Sequence, residues 1–221
     1  MRILEVAFGC SDLDIAEEFY GSLLGMRTVR ARSSLTVEAG WTTIVLTAGR
    51  IQHGAQHLAF TIPRNRFRDA KTWLTDRVPL LRTDDGDEFE CAEAWNARSL
   101  YFEGPDGVIL ELIVRRQLSN DSAQPFSGAD ILGVSEVGVP VSNVTQFVDA
   151  AAVQLGLRPY HQGGPSFQPI GDTDGLLILV QEGRTWFPTQ SRADLQPLSV
   201  TIDSGIQAEI AANASCMIRS H

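Results

Sequence analysis

Cysteine is scarce in this chain: Cys10, Cys91 and Cys216 are the only three in 221 residues. They are odd in number, far apart and never spaced as Cys-x-x-Cys. That excludes a disulfide framework and a thiolate metal site, and it points to a reducing compartment. Basic patches are lacking too. The net charge is −9, and the densest arginine cluster is only Arg64, Arg66 and Arg68. Nothing there neutralises a run of phosphates, so no nucleic-acid partner is expected. No apolar run reaches membrane-spanning length. A strand-like run containing Glu5 follows Met1 almost at once, so neither a signal peptide nor a membrane partner is expected, and a cytoplasmic location is. No Ser-His-Asp arrangement, P-loop or GxGxxG turn stands out.

What is present is core-forming sequence with a few charges in the wrong place. The chain is 43% hydrophobic and 20% charged, enough for one large or two small domains. The run Gly107-Val-Ile-Leu-Glu-Leu-Ile-Val114, launched by the turn Gly104-Pro-Asp-Gly107, reads as a buried strand with Glu111 at its centre. A carboxylate there is costly unless something pairs it. Two more strand-like runs carry the same kind of interruption: Ile3-Leu-Glu-Val-Ala-Phe8 with Glu5, and Gln56-His-Leu-Ala-Phe-Thr-Ile62 with His57. Two glutamates and a histidine on separate strands suggest a shared divalent metal ion.

The element order repeats. A strand over residues 2–9 precedes a capping-box spacing at Ser11 and Asp14. Ile15, Phe19 and Leu23 then give a helix over 12–24, closed by Gly25. Strand pieces follow at 27–31, 34–38 and 41–47. A second β-α-β-β-β unit begins at Gln56. Its helix carries Phe67, Ala70 and Leu74 on one face, and its last strand is Val108–Val114. Residues 116–130 are polar and turn-rich and read as a linker. Beyond them Glu136-Val-Gly-Val lines up with Glu5-Val-Ala-Phe, and Leu155-Gly-Leu-Arg158 with Leu24-Gly-Met-Arg27, at one offset of 131 residues. Ile178 falls near the counterpart of Ile44, Gly183-Arg184 echoes Gly49-Arg50, and Pro197–Ile202 echoes His57–Ile62. This is an internal duplication: three units and the opening strand of a fourth, with Gln207–Ala212 expected to form a short helix or tail.

Strand, Ser-Asp-Leu, helix, Phe-Tyr, Leu-Leu-Gly-Met resembles the opening of vicinal oxygen chelate proteins, the superfamily of glyoxalase I, bleomycin-resistance proteins and extradiol dioxygenases. Gln56-His57-Leu-Ala-Phe and Tyr101-Phe-Glu-Gly-Pro-Asp-Gly…Glu111-Leu match its later strands. The resemblance is strong over 1–115 and degenerate over 131–203. It implies an α+β fold in which paired βαβββ modules form a curled mixed sheet around a cup. The expected layout is a two-module domain at 1–115 holding the site, the linker 116–130, and a third, degenerate module plus an extra strand and tail at 131–221 without a metal site.

The resemblance further implies a divalent ion (Fe, Mn, Zn, Ni or Mg) held by Glu5, His57 and Glu111. Glu111 or Glu5 would act as general base. Tyr101, on the preceding strand, would bind substrate. The expected activity is a metal-dependent, enolate-stabilising enzyme of lyase, isomerase or epimerase type acting on a small molecule with vicinal oxygens. The alternatives are an extradiol-type ring-cleavage dioxygenase, disfavoured by glutamate where many family enzymes have histidine or glutamine, and a non-catalytic small-molecule binding protein. Glu136 reads as a relic of Glu5 or a salt-bridge partner, His53 as part of a turn, and His161 and His221 as lacking companions. An open half-domain would leave a bare sheet edge, so the third module is expected either to make a homodimer or to pack on residues 1–115, with Pro197–Ile202 closing the edge.

Overall fold

A computed structural model of the chain describes residues 1–49 and 55–221; His53 and Arg50 lie outside them. The first unit runs β1 (Arg2–Cys10), α1 (Leu13–Glu17), β2 (Arg27–Arg30), β3 (Ser34–Ala39) and β4 (Thr42–Ala48). The second is β5 (His57–Thr61), α2 (Phe67–Thr75), β6 (Phe89–Glu90), β7 (Ala97–Glu103) and β8 (Ile109–Arg115). The third holds β9 (Gly133–Val141), α3 (Val144–Gln154), β10 (Phe167–Asp172) and β11 (Gly175–Gln181). A fourth holds β12 (Leu198–Asp203), β13 (Ala208–Asn213) and β14 (Cys216–Ser220). Few helices and much mixed sheet make the chain α+β, as expected. In each unit the first strand lies parallel to the last: β1 with β4, β5 with β8, β9 with β11 and β12 with β14.

The units pair differently from the expectation that 1–115 shares one sheet. One seven-stranded sheet has the order β13-β14-β12-β1-β4-β3-β2, and the other β10-β11-β9-β5-β8-β7-β6. Unit one therefore completes its sheet with unit four, through β1 and β12, and unit two with unit three, through β5 and β9. Residues 1–115 are divided between the sheets, and β9 closes an edge of β5 that would otherwise be bare. The bare edge expected of unit three is closed within the chain by β5, while the segment expected to close it, Pro197–Ile202, pairs with β1 instead.

Local readings of the sequence needed three corrections. Gln207–Ala212 is not a helix: Ala208–Asn213 pairs antiparallel with β14. Burial alternates there, with Ile210 inside between exposed Glu209 and Ala211, which is the period of a strand. The cap of α1 is Asp12, whose side chain accepts from the backbone N–H groups of Asp14 and Ile15. Ser11 instead donates to Asp106 in the Pro-Asp-Gly turn of unit two. Finally, α1 and the π-helical turn that follows it over Glu18–Leu23 bury Leu13, Ala16, Tyr20 and Leu24 rather than the Ile15 face, and Ile15 is 59% exposed. Both stripes have helical spacing, and packing on the sheet buries the one that carries Tyr20.

One apolar core joins both sheets and the three helices, from Ile3 and Val6 through Leu58, Leu110 and Val137 to Ile218. The other faces of the two sheets differ. Along β1 burial alternates and the far face is partly wet, whereas β5, β8 and β9 are buried at every residue. The reason is a loop over 182–197. Its Trp186 is 4% exposed and donates its ring N–H to the Ala55 carbonyl at 2.9 Å. It lies over Gly138, where a Cβ would stand 2.6 Å from the indole. No side chain larger than glycine's hydrogen fits there without moving Trp186. The second sheet thus has a roofed cup, and the first an open one.

Candidate metal centre and its cavity

The roofed cup holds a cavity of about 390 Å³ lined by His57, Tyr101, Glu111 and Glu136, with Ile113 and Ile178 between aromatic walls. His57 opens β5 and Glu111 sits mid-β8. In the parallel ladder His57 faces Ile109 and Ala59 faces Glu111, so the two side chains stand on one face, two residues apart. Glu136 arrives from β9, opposite Ala59 in the antiparallel pairing. One ligand atom from each of His57, Glu111 and Glu136 lies within 4.8 Å of the others. These three side chains are the potential metal-binding cluster among the described residues.

Glu5 is on β1, in the middle of the other sheet, beside Thr43 and Thr201. The structure brings His57 and Glu111 together and leaves Glu5 half-buried on the open cup. Its repeat image Glu136 occupies the corresponding place in the roofed cup. The sequence carried that signal in the offset linking Glu5 to Glu136. The assumption that adjacent units share a sheet concealed it.

The same register identifies the counterparts of Glu111 in the other units. Glu111 lies two residues beyond the partner of His57. Two residues beyond Leu176, the partner of Glu136, is Ile178, which lines the cavity. Two residues beyond Thr43, the partner of Glu5, is Val45 rather than Ile44. Ile44 is fully buried on the core side. A one-residue shift moves a strand side chain to the opposite face.

The chemistry of the three groups follows from burial. His57 is 6% exposed. Burial pushes its pKa down from 6.5 to about 4, against the opposing effect of a hydrogen bond to the Ile109 carbonyl. Its Nδ1 lies 3.2 Å from that carbonyl oxygen. The neutral ring therefore donates from Nδ1 and keeps a bare Nε2, 3.5 Å from the Glu111 carboxylate. Glu111 is 2% exposed. Burial first, and the nearby Glu136 charge second, push it up from 4.5 to about 8. Hydrogen bonds from Ser99 and Tyr101, and the Arg115 charge, pull the other way. Burial also raises Glu136, against the pull of Arg115.

Arg115 is fully buried and forms an ion pair with Glu136. Its guanidinium lies 5.8 Å from the ring centres of Trp95 and of Tyr160. Glu136 is thus a salt-bridge partner as well as a member of the cluster.

The donor set fits a divalent ion. A backbone carbonyl fixes His57 in the tautomer that presents a lone pair, a common outer-shell arrangement around metal-binding histidines. Two carboxylates beside it supply the oxygen ligands that hard and borderline cations take. Pairing with Arg115 engages one oxygen of Glu136 and leaves the second. The two buried carboxylates otherwise repel each other, and a cation between them removes that repulsion.

Comparison with solved structures follows from this geometry. Glyoxalase I from Zea mays, in one point-mutant form, matches over 99% of this chain and 93% of its own, at 15% identity and a TM-score of 0.61. The unmutated Zea mays enzyme matches over 90% of this chain and 74% of its own, at 17% identity and a TM-score of 0.56. The chain has the glyoxalase fold. That fold is consistent with the vicinal oxygen chelate resemblance and accounts for four βαβββ-derived units in two sheets. Here the third unit lacks one strand, and the fourth lacks its helix and one strand. No family model and no curated protein matches the sequence.

Proposed function

We propose that the roofed cup is the active site of a metal-dependent enzyme of the glyoxalase type, acting on a small molecule with neighbouring oxygens. The observation that carries this reading is the convergence of His57, Glu111 and Glu136 within 4.8 Å in a cavity of this size. In this reading Glu136 takes the place expected for Glu5. When bound, the ion would polarise a substrate oxygen and stabilise negative charge developing on it. Glu111 moves the proton. Without the ion, burial and the Glu136 charge hold this carboxyl up at about 8; with the ion bound it would be ionised, and it would take the substrate proton as a carboxylate general base. Ser99 donates to one of its oxygens and fixes its orientation. Tyr101 lines the cavity beside it and orients substrate. Trp186 excludes water from above.

One imidazole with two carboxylates departs from the two-histidine, one-carboxylate set of oxygen-activating iron sites. This favours proton transfer over ring-cleaving oxygenation. The rival reading is a binding protein with the same cup and no catalysis. The apolar Ile178, where unit three has its counterpart of Glu111, favours it. Metal titration separates the two. Purified protein stripped with EDTA gains thermal stability with Mn, Fe, Ni or Zn, and His57→Ala abolishes the gain. If no metal raises Tm, the enzyme reading is wrong. The oligomeric state is independent of this site, because one chain supplies all three ligands.

A further inference from the structure

The walls of the cup carry information that the metal cluster does not use. The His57 and Trp186 rings lie 5.4 Å apart at 34°, and Tyr101 and Phe187 meet edge to face at 5.6 Å. Trp95 and Phe167 line the same cavity. The polar tip of one wall is already committed: the Trp186 N–H goes to Ala55. What these rings offer a ligand is aromatic face and edge, with few free hydrogen bonds. Such surfaces favour a flat ring in offset or edge-on contact over a saturated one of equal area.

One lining residue breaks the pattern. Arg184 is the only fixed cation in the lining, it is exposed, and it makes no ion pair among the described residues. Its guanidinium rests over the Phe167 ring, 5.0 Å from the centre. Stacking orients a guanidinium plane and leaves its edge N–H groups to grip a carboxylate with two parallel hydrogen bonds. In a chain of net charge −9, an uncompensated arginine at the rim of an acidic cavity selects for a negative group held away from the carboxylates. The cavity, about 390 Å³, sits at the low end of the roughly 300–1,000 Å³ typical of ligand sites. A single ring with a short tail fits it better than a peptide conjugate or a fused polycycle.

We propose that the cup binds aryl carboxylates: one aromatic ring among Trp186, Tyr101 and Phe187, with a short-tethered carboxylate on Arg184. This rests on the reading of the cup as the ligand site, but not on the presence of metal.

The test uses EDTA-treated full-length protein and three probes, 3-phenylpropanoate, its neutral amide, and 3-cyclohexylpropanoate, with binding followed by calorimetry and tryptophan fluorescence. The acid binds about tenfold tighter than the amide, the scale of a charged hydrogen-bonded contact. It binds at least about threefold tighter than the saturated analogue, the scale of an aromatic pair. Arg184→Gln removes the preference for acid over amide and leaves amide affinity unchanged. Equal binding of acid and amide, equal binding of the two ring types, an unchanged preference in Arg184→Gln, or no binding of 3-phenylpropanoate overturns the proposal. A protein that prefers the aryl acid yet takes up no metal keeps this ligand class and loses the metal chemistry. One that takes up metal and shows no preference does the reverse.

Discussion

Replacing Glu111 with glutamine tests the electrostatics of the cup directly. The side chain keeps its shape and still accepts from Ser99, but it no longer ionises. In the unfolded chain Glu111 titrates at 4.5, and in the fold at about 8. Between those values the folded state holds a proton that the unfolded state has released. Stability therefore falls as pH rises from 4.5 to about 8 and levels off above it. At about 1.4 kcal/mol for each pH unit, the whole span is worth roughly 4–5 kcal/mol as an order of magnitude. Glu111→Gln lacks this loss. Guanidinium unfolding of metal-free wild type and variant at pH 5, 7 and 9 should show the variant gaining on wild type, by roughly 4 kcal/mol from pH 5 to 9. The His57 contribution runs the other way. Its pKa is lowered from 6.5 to about 4, so stability is lost as pH falls through that window, and the loss is common to both proteins. A stability difference that does not change with pH would refute the claim that burial holds Glu111 protonated.

Metal uptake should release close to one proton at pH 7, measured by calorimetry in buffers of different ionisation enthalpy, and affinity should rise up to about tenfold per pH unit until pH 8. Glu5→Gln should leave metal affinity within about twofold, because β1 lies in the other sheet; a large loss would return Glu5 to the ligand set. Arg115→Met should destabilise the fold by about 3–5 kcal/mol by leaving Glu136 buried without its partner. The double variant with Glu136→Leu should recover most of that in denaturant titrations.

Much of this molecule was legible before any coordinates. Period-2 runs, Gly25 and Gly104-Pro-Asp-Gly107 located most of the strands and turns. Charges misplaced in apolar strands marked His57 and Glu111, because burial of a lone carboxylate demands a reason wherever the strand goes. The offset between Glu5 and Glu136 announced the duplication. The face of α1 was not legible, because Ile15, Phe19 and Leu23 and Leu13, Ala16, Tyr20 and Leu24 both have helical spacing and only packing chooses between them. Nor was β13, because a short alanine-rich segment suits helix or strand until an edge is there to receive it.

The sequence by itself determined that β-α-β-β-β units would form, and that some of their strands would carry ligand-type side chains on one face. Those features follow from local periodicity and from the cost of burying charge. Only the tertiary structure decided which units share a cup. Pairing β5 with β9, and β1 with β12, is settled by non-local edge complementarity and by the roof of Trp186 over Gly138. Those pairings put Glu136 and Arg184 beside His57 and Glu111, gave Arg115 its partner in Glu136, and left Glu5 on the open sheet.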